Sequence, residues 1–129
     1  QEHPEAAYYL GNLYAQGSVE LRRDFGKAAE WFAEAVKLGH TGAMNNLGYL
    51  YDEGLGVKKD HAKALGHYRD AADAGHAGAQ LNLSAFYSVG IGGVTKDLTK
   101  ALGWAEKADA QGEPGAAEKV AAIRHLLRK

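Results

Sequence analysis

Six histidines and no cysteine set the terms for any chemistry this 129-residue chain could carry. Without thiols there are no disulfides, no cysteine nucleophile and no sulfur-ligated metal. Imidazoles and carboxylates remain. His67, Asp70 and Asp73 fall at i, i+3 and i+6, a loose line along one helix face, but no two histidines have the i, i+4 spacing of a helical zinc pair. His40 and His76 follow glycines at the same place in a recurring pattern, with His3 as their counterpart. Stacked helical units put such equivalents on the order of 10 Å apart, too far to share one ion. A solvated helix face is the expected role of these groups, and neither metal nor cofactor is expected.

Other constellations lead to the same place. Gly90-Ile-Gly-Gly-Val-Thr-Lys96 has the composition of a phosphate-cradling loop, yet lacks its spacing and follows a helical pattern where that motif needs a strand. Ser84 and Ser88 lack the strand-to-helix elbow that exposes a nucleophilic serine. The carboxylates fit helix caps and solvent faces. These residue types point away from catalysis and toward a binding surface.

The elements that must position them form a repeat. Leu10-Gly11…Tyr14…Gly17 returns 37 residues on as Leu47-Gly48…Tyr51…Gly54, and 36 further on as Leu83-Ser84…Tyr87…Gly90. Asp24-x-x-Lys27-Ala28, Asp60-x-x-Lys63-Ala64 and Asp97-x-x-Lys100-Ala101 follow in phase, each leading to a later glycine (Gly39, Gly75, Gly112). Self-similarity at this period marks a solenoid, a fold that acts by presenting a surface. Each unit reads as two helices: apolar residues at helical spacing, a glycine stop, an Asp N-cap, and a second apolar stripe. First helices are predicted near 5–16, 42–53, 78–89 and 115–128, and second helices near 25–38, 61–74 and 98–111. Gly11, Gly48, Ser84 and Ala121 are equivalent small residues that let a neighbouring helix approach. Tyr14, Tyr51 and Tyr87, one turn on, are expected to fill the junction between helices as core rings. In the third unit Ala105 replaces the aromatic at Phe32 and Tyr68, leaving Trp104 to fill that layer.

Composition fits one soluble array. The net charge of −1 gives no general attraction for nucleic acid, and no run reaches the ~18 apolar residues of a membrane span. Oligomeric state is left open by the sequence. No signal peptide is visible, and Gln1 opens almost directly on a repeat helix, so the chain is expected to follow a removed leader or an artificial cut.

The pattern Ala-x-x-x-Leu-Gly-x-x-Tyr-x-x-Gly-x-Gly-Val…Asp-x-x-Lys-Ala…Ala-Ala-x-x-Gly resembles the Sel-one-like repeat (SLR) family of the tetratricopeptide superfamily. Residues 41–76 match it nearly position for position, and the other units match with one-residue loop extensions. The resemblance implies a right-handed α-solenoid, all-α, with repeats at 4–40, 41–76 and 77–113 and a capping helix over 114–129. Arg124 stands at the tyrosine position of that last helix, with Arg128 and Lys129 nearby, so it reads as a solubilising cap. The first loop departs from the pattern, with Ser18 and Glu20 where the second has Leu55 and Val57.

What the resemblance implies for function is a non-enzymatic scaffold or adaptor in bacterial assembly, envelope or regulatory settings, with a periplasmic or secreted location favoured over a cytoplasmic one. If first helices line the concave side, as in the superfamily, Tyr8, Tyr9, Asn12, Asn45, Asn46, Tyr49, Asp52 and Asn82 point into a groove. Amides there can pair with a peptide backbone, and tyrosines offer area at small entropic cost. The competing role for Asn46 and Asn82 is to satisfy neighbouring helices. A second surface is the loop edge, where Arg22-Arg23, Lys58-Lys59 and Lys96 precede the capping Asp residues. The alternative function is a cell-wall-associated hydrolase or glycan-binding protein. Cysteine-rich relatives linked to such chemistry suggest it, but their cysteine framework is missing here.

Overall fold

A computed structural model describes residues 3–129, and Gln1, with the expectation attached to it, lies outside them. Among the described residues there are seven helices and no strand: α1 Pro4–Gln16, α2 Phe25–Lys37, α3 Thr41–Glu53, α4 His61–Asp73, α5 Ala77–Val89, α6 Leu98–Ala110 and α7 Ala116–Leu127. Each packs on the helix before and after it in the chain, which makes an all-α helical-repeat solenoid. The connections are short, so neighbours run antiparallel. No helix among the described residues is long and apolar enough to cross a membrane.

The Asp-x-x-Lys signature accounts for the start of every second helix. The carboxylates of Asp24, Asp60 and Asp97 accept from the backbone N–H of Lys27, Lys63 and Lys100, each at 3.0 Å, a cap worth about 0.5–2 kcal/mol. The backbone N–H of each Asp donates to the carbonyl of Tyr14, Tyr51 or Tyr87, at 2.8, 2.9 and 2.9 Å, which closes the loop. The lysine ammonium of each motif then lies over the same tyrosine ring, 5.5, 5.3 and 5.6 Å from its centre. These rings are half-buried under a cation. They are not the sealed core rings their spacing predicts.

First helices start differently. His40 and His76 are N-caps whose Nδ1 accepts from the N–H of Ala43 and Ala79, both at 3.1 Å. Helix capping is thus the role that these two imidazoles fill. His3 occupies the same place before α1 and makes no such side-chain cap.

The buried residues form three groups along the stack. Leu47 and Leu50 belong to the first, Tyr68 and Ala71 to the second, and Ala101, Ala105, Val120 and Ile123 to the third. Tyr51 packs against the first two groups and Tyr87 against the last two. Trp104 packs on the second group, so the layer at Ala105 is shared with α7 instead.

Candidate functional site

The face shared by α1, α3 and α5 carries the residues singled out for binding. Asn46 donates from Nδ2 to Asn12 Oδ1 at 3.1 Å, joining α3 to α1. Asn82 donates to Asn45 Oδ1 at 3.0 Å, joining α5 to α3. The two rungs differ by one turn for a reason. Tyr49 stands in the second unit where Asn12 stands in the first, so the amide that Asn82 reaches is Asn45. All four asparagines are half-buried.

Two tyrosines flank the first rung. Tyr9 is one turn before Asn12 and Tyr49 one turn after Asn46, and they are 63% and 50% exposed. A half-exposed phenol ring anchored on a rigid helix keeps apolar area and a hydroxyl available to a partner. Tyr8 is engaged differently: its ring stacks on His40 at 4.2 Å between centres. Because His40 Nδ1 accepts from Ala43, its Nε2–H is the end that donates to Glu5, at 3.0 Å. Tyr8, His40 and Glu5 therefore clamp α1 to the start of α3.

Asp52 is also engaged. Its Oδ1 lies 2.9 Å from His61 Nδ1, and its carboxylate faces the Tyr68 hydroxyl. Burial, reinforced by the Asp52 and Glu53 carboxylates, pushes the Tyr68 phenol well above its usual range. Asp52 thus links α3 to α4 while staying at the margin of the shared face. Ser88 donates to the Ser84 carbonyl at 2.9 Å, and Ser84 is sealed in the core, donating to the Ala101 carbonyl at 2.7 Å. Among the described residues, no three His, Asp or Glu side chains gather as a metal site.

The loop edge has its own geometry. Arg23, Lys59 and Lys96 pack against the glycines that end α1, α3 and α5, close enough that a Cβ on Gly17, Gly54 or Gly90 would stand within 3.0 Å of them. Two further glycines, Gly56 and Gly92, press on the starts of α2 and α4: their Cβ atoms would stand 2.2 Å from Phe25 and 2.8 Å from His61. In the first loop that place is held by Val19, fully exposed, with Ser18 Oγ accepting from Leu21 N–H at 2.9 Å.

Sequence reasoning missed two features. Gln80 is buried, donating to the Ala72 carbonyl and accepting from Gln111, which also reaches the Gly75 carbonyl. A lone glutamine at the repeat position of Ala7 and Met44 was the available signal. The other is a groove beside Trp31, lined by Ala6, Leu10 and Leu38. Register shows it, because the equivalents of Ala6 and Leu10 are core residues in every other unit.

Comparison with known proteins follows the geometry. The Sel1 repeat model matches residues 4–40, 41–76 and 77–113. A Sel1 repeat protein from Oxalobacter formigenes superposes with a TM-score of 0.85 at 31% identity, over 93% of this chain and 49% of that one. A protective antigen of uropathogenic Escherichia coli with an SLR fold gives 0.87 at 32%, over 95% and 26%. Cysteine-rich protein B of Helicobacter pylori gives 0.71 at 24%, over 88% and 91%, a likeness of fold alone. In sequence, chitin synthase regulatory factor 3 of Schizosaccharomyces pombe is 38% identical over 55 residues, 43% of this chain and 6% of that protein. The chain spans about half or less of the length of most of these relatives. Three matched units built on one two-helix plan leave one conclusion: the chain belongs to the Sel1 repeat family.

Proposed function

We propose that this chain is a non-enzymatic interaction scaffold that holds a peptide or partner segment along the α1–α3–α5 face, with Tyr49 as its anchor. Sel1-repeat proteins generally serve as protein-interaction scaffolds. The observation that carries the finer reading is the pairing of exposed Tyr9 and Tyr49 with an asparagine ladder that, among the described residues, uses only half of each amide. Asn12 and Asn45 keep their Nδ2 donors, and Asn46 and Asn82 their Oδ1 acceptors, for a backbone laid along the face. Asp52, tied to His61, sets a negative margin that favours a basic residue at one end of the ligand.

Tyr49→Ala tests this against a partner pulled down from the native host. Affinity is expected to fall about tenfold, the size typical of an interface anchor, while the melting temperature stays put because the ring is exposed. Tyr51→Ala is the control with the opposite profile, since that ring packs on two core groups. Unchanged affinity for Tyr49→Ala, together with lost affinity on reversing Arg22, Lys58 and Lys59, would move the site to the loop edge.

A further inference from the structure

Charge is divided unevenly between the two kinds of helix. Each second helix, α2, α4 and α6, carries two basic and two acidic side chains. The first helices α1, α3 and α5 carry Glu5, Asp52 and Glu53 and neither lysine nor arginine, so the face they share is acidic. Two of its carboxylates are taken, Glu5 by His40 and Asp52 by His61. Glu53 is exposed and has no basic side chain within ion-pair distance among the described residues. It is also the last residue of α3, where the helix carbonyls favour a cation. In that turn α2 and α6 place Lys37 and Lys107. A carboxylate there works against the helix and in favour of a basic ligand group.

The face changes character between α3 and α5. Tyr49 and Glu53 stand one turn apart on α3, and the same two positions of α5 hold Ala85 and Val89. Tyr49 is 50% exposed and Val89 65%. With the half-buried Leu81 and Ala85, Val89 makes α5 aliphatic where α3 offers a ring and a carboxylate. The Asn82–Asn45 rung spans the boundary at 3.0 Å. Both helices have a described unit on either side, and a repeat touches only its neighbours. The boundary therefore stands in an array of any length.

We propose that the segment held on this face is a polyproline-II stretch, with a basic residue over Tyr49 and Glu53 and an aliphatic residue three positions away over Ala85 and Val89. It rests on the reading of the α1–α3–α5 face as the binding surface. A cation between Tyr49 and Glu53 meets a ring face and a carboxylate together. The spacing follows from the stack. Neighbouring first helices lie on the order of 10 Å apart, and polyproline II returns a side chain to the same side every three residues, about 9 Å on. A β-strand returns it at about 7 or about 13 Å and misses the step. Polyproline II also leaves its backbone without internal hydrogen bonds. Its peptide groups are then free for the Asn45 Nδ2 and Asn82 Oδ1 atoms that the rung does not use.

The probe is the peptide Ac-Gly-Pro-Arg-Pro-Gln-Leu-Pro-Gly-NH2, titrated into the isotope-labelled 129-residue chain and followed by backbone amide shifts. Neither contact sets the peptide's direction, so the reversed sequence is titrated too and the better binder carried forward. Shifts are expected on α3 and α5. Glutamate in place of arginine is expected to weaken binding about fivefold or more, as are serine in place of leucine and a spacing of two in place of three. Glu53→Lys should reverse the order of the arginine and glutamate peptides, and Val89→Ser should bring the leucine and serine peptides together. Both positions are exposed, and unaltered helical circular dichroism checks that the variants fold. Peptides that bind alike, an order that Glu53→Lys leaves in place, or tighter binding at another spacing overturns the proposal. Tyr49→Ala separates the two readings. If it weakens a set of peptides that otherwise bind alike, the face binds and only this ligand class fails. Binding indifferent to Tyr49→Ala removes the face, and this proposal with it. No binding by any peptide overturns the ligand class alone, and the captured partner's response to Tyr49→Ala then decides the face.

Discussion

The second and third units make the same helix–helix contact in opposite ways. In the second, Gly48 has no side chain and the buried Tyr68 ring fills the space: a Cβ on Gly48 would stand 2.9 Å from it. The first unit repeats this, with 2.5 Å between a Cβ on Gly11 and Phe32. In the third, Ala105 withdraws the ring, and Ser84 supplies both a Cβ and a hydroxyl that donates to the Ala101 carbonyl at 2.7 Å. What the repeat adjusts together is the fit of the pair: a ring goes with a residue that has no side chain, and the serine goes with an alanine whose remaining space is shared with Val120 and Ile123 of α7. That is the behaviour expected of an interior packed at crystal-like density.

The largest expected effect tests the ring. Tyr68→Ala should lower unfolding free energy by about 3–5 kcal/mol in urea titration. Gly48→Ser alone should cost about 1–3 kcal/mol by overpacking. Together they recreate the third unit's pairing, so the double variant should lose less than the sum by about 1 kcal/mol or more. Strict additivity would show that the two residues do not share one space.

The reverse exchange should give a smaller loss. Ala105→Tyr is expected to cost about 1–3 kcal/mol against Ser84, and adding Ser84→Gly should restore most of it. Ser84→Ala leaves the packing in place and removes one buried hydrogen bond, for about 1 kcal/mol. If Ser84→Ala proved as costly as Ala105→Tyr, the serine would be holding the junction by its hydroxyl rather than by its size.

Pairs of this kind explain what the sequence disclosed and what it withheld. Helix limits were legible to within a residue or so because caps are local: an Asp three residues before a lysine N–H, a glycine at positive φ. The small-residue position was legible for the same reason. The partial exposure of Tyr14, Tyr51 and Tyr87 was not, because it depends on a lysine that arrives from the next helix. Nor was the division of the core into groups, which depends on how far each ring reaches. On the α1–α3–α5 face, the asparagines could be named, but the Asn46–Asn12 and Asn82–Asn45 rungs needed a register between helices 34 and 37 residues apart in the chain.

The smallest effect separates the same two units at a third position. Trp104 in the third is matched by His67 in the second. Trp104 is half-buried on the second core group, with Lys107 over its ring at 4.5 Å. His67 stacks on Tyr51 at 5.8 Å. Burial holds the His67 imidazole below its ordinary 6.5, with Asp70 opposing and Lys63 assisting. The unfolded chain therefore takes up a proton near pH 6.5, where folded His67 still resists it. Its contribution to stability is complete above that value and declines as pH falls from there toward the folded pKa. Solvent reaches part of the ring, so the change is small. Melting temperature should fall as pH drops from about 7 to about 5, and His67→Phe, which keeps a ring against Tyr51 but cannot titrate, should flatten that slope. Equal slopes for the two chains would mean that the pH dependence does not come from His67, and that burial of its ring on Tyr51 leaves its protonation as in the unfolded chain.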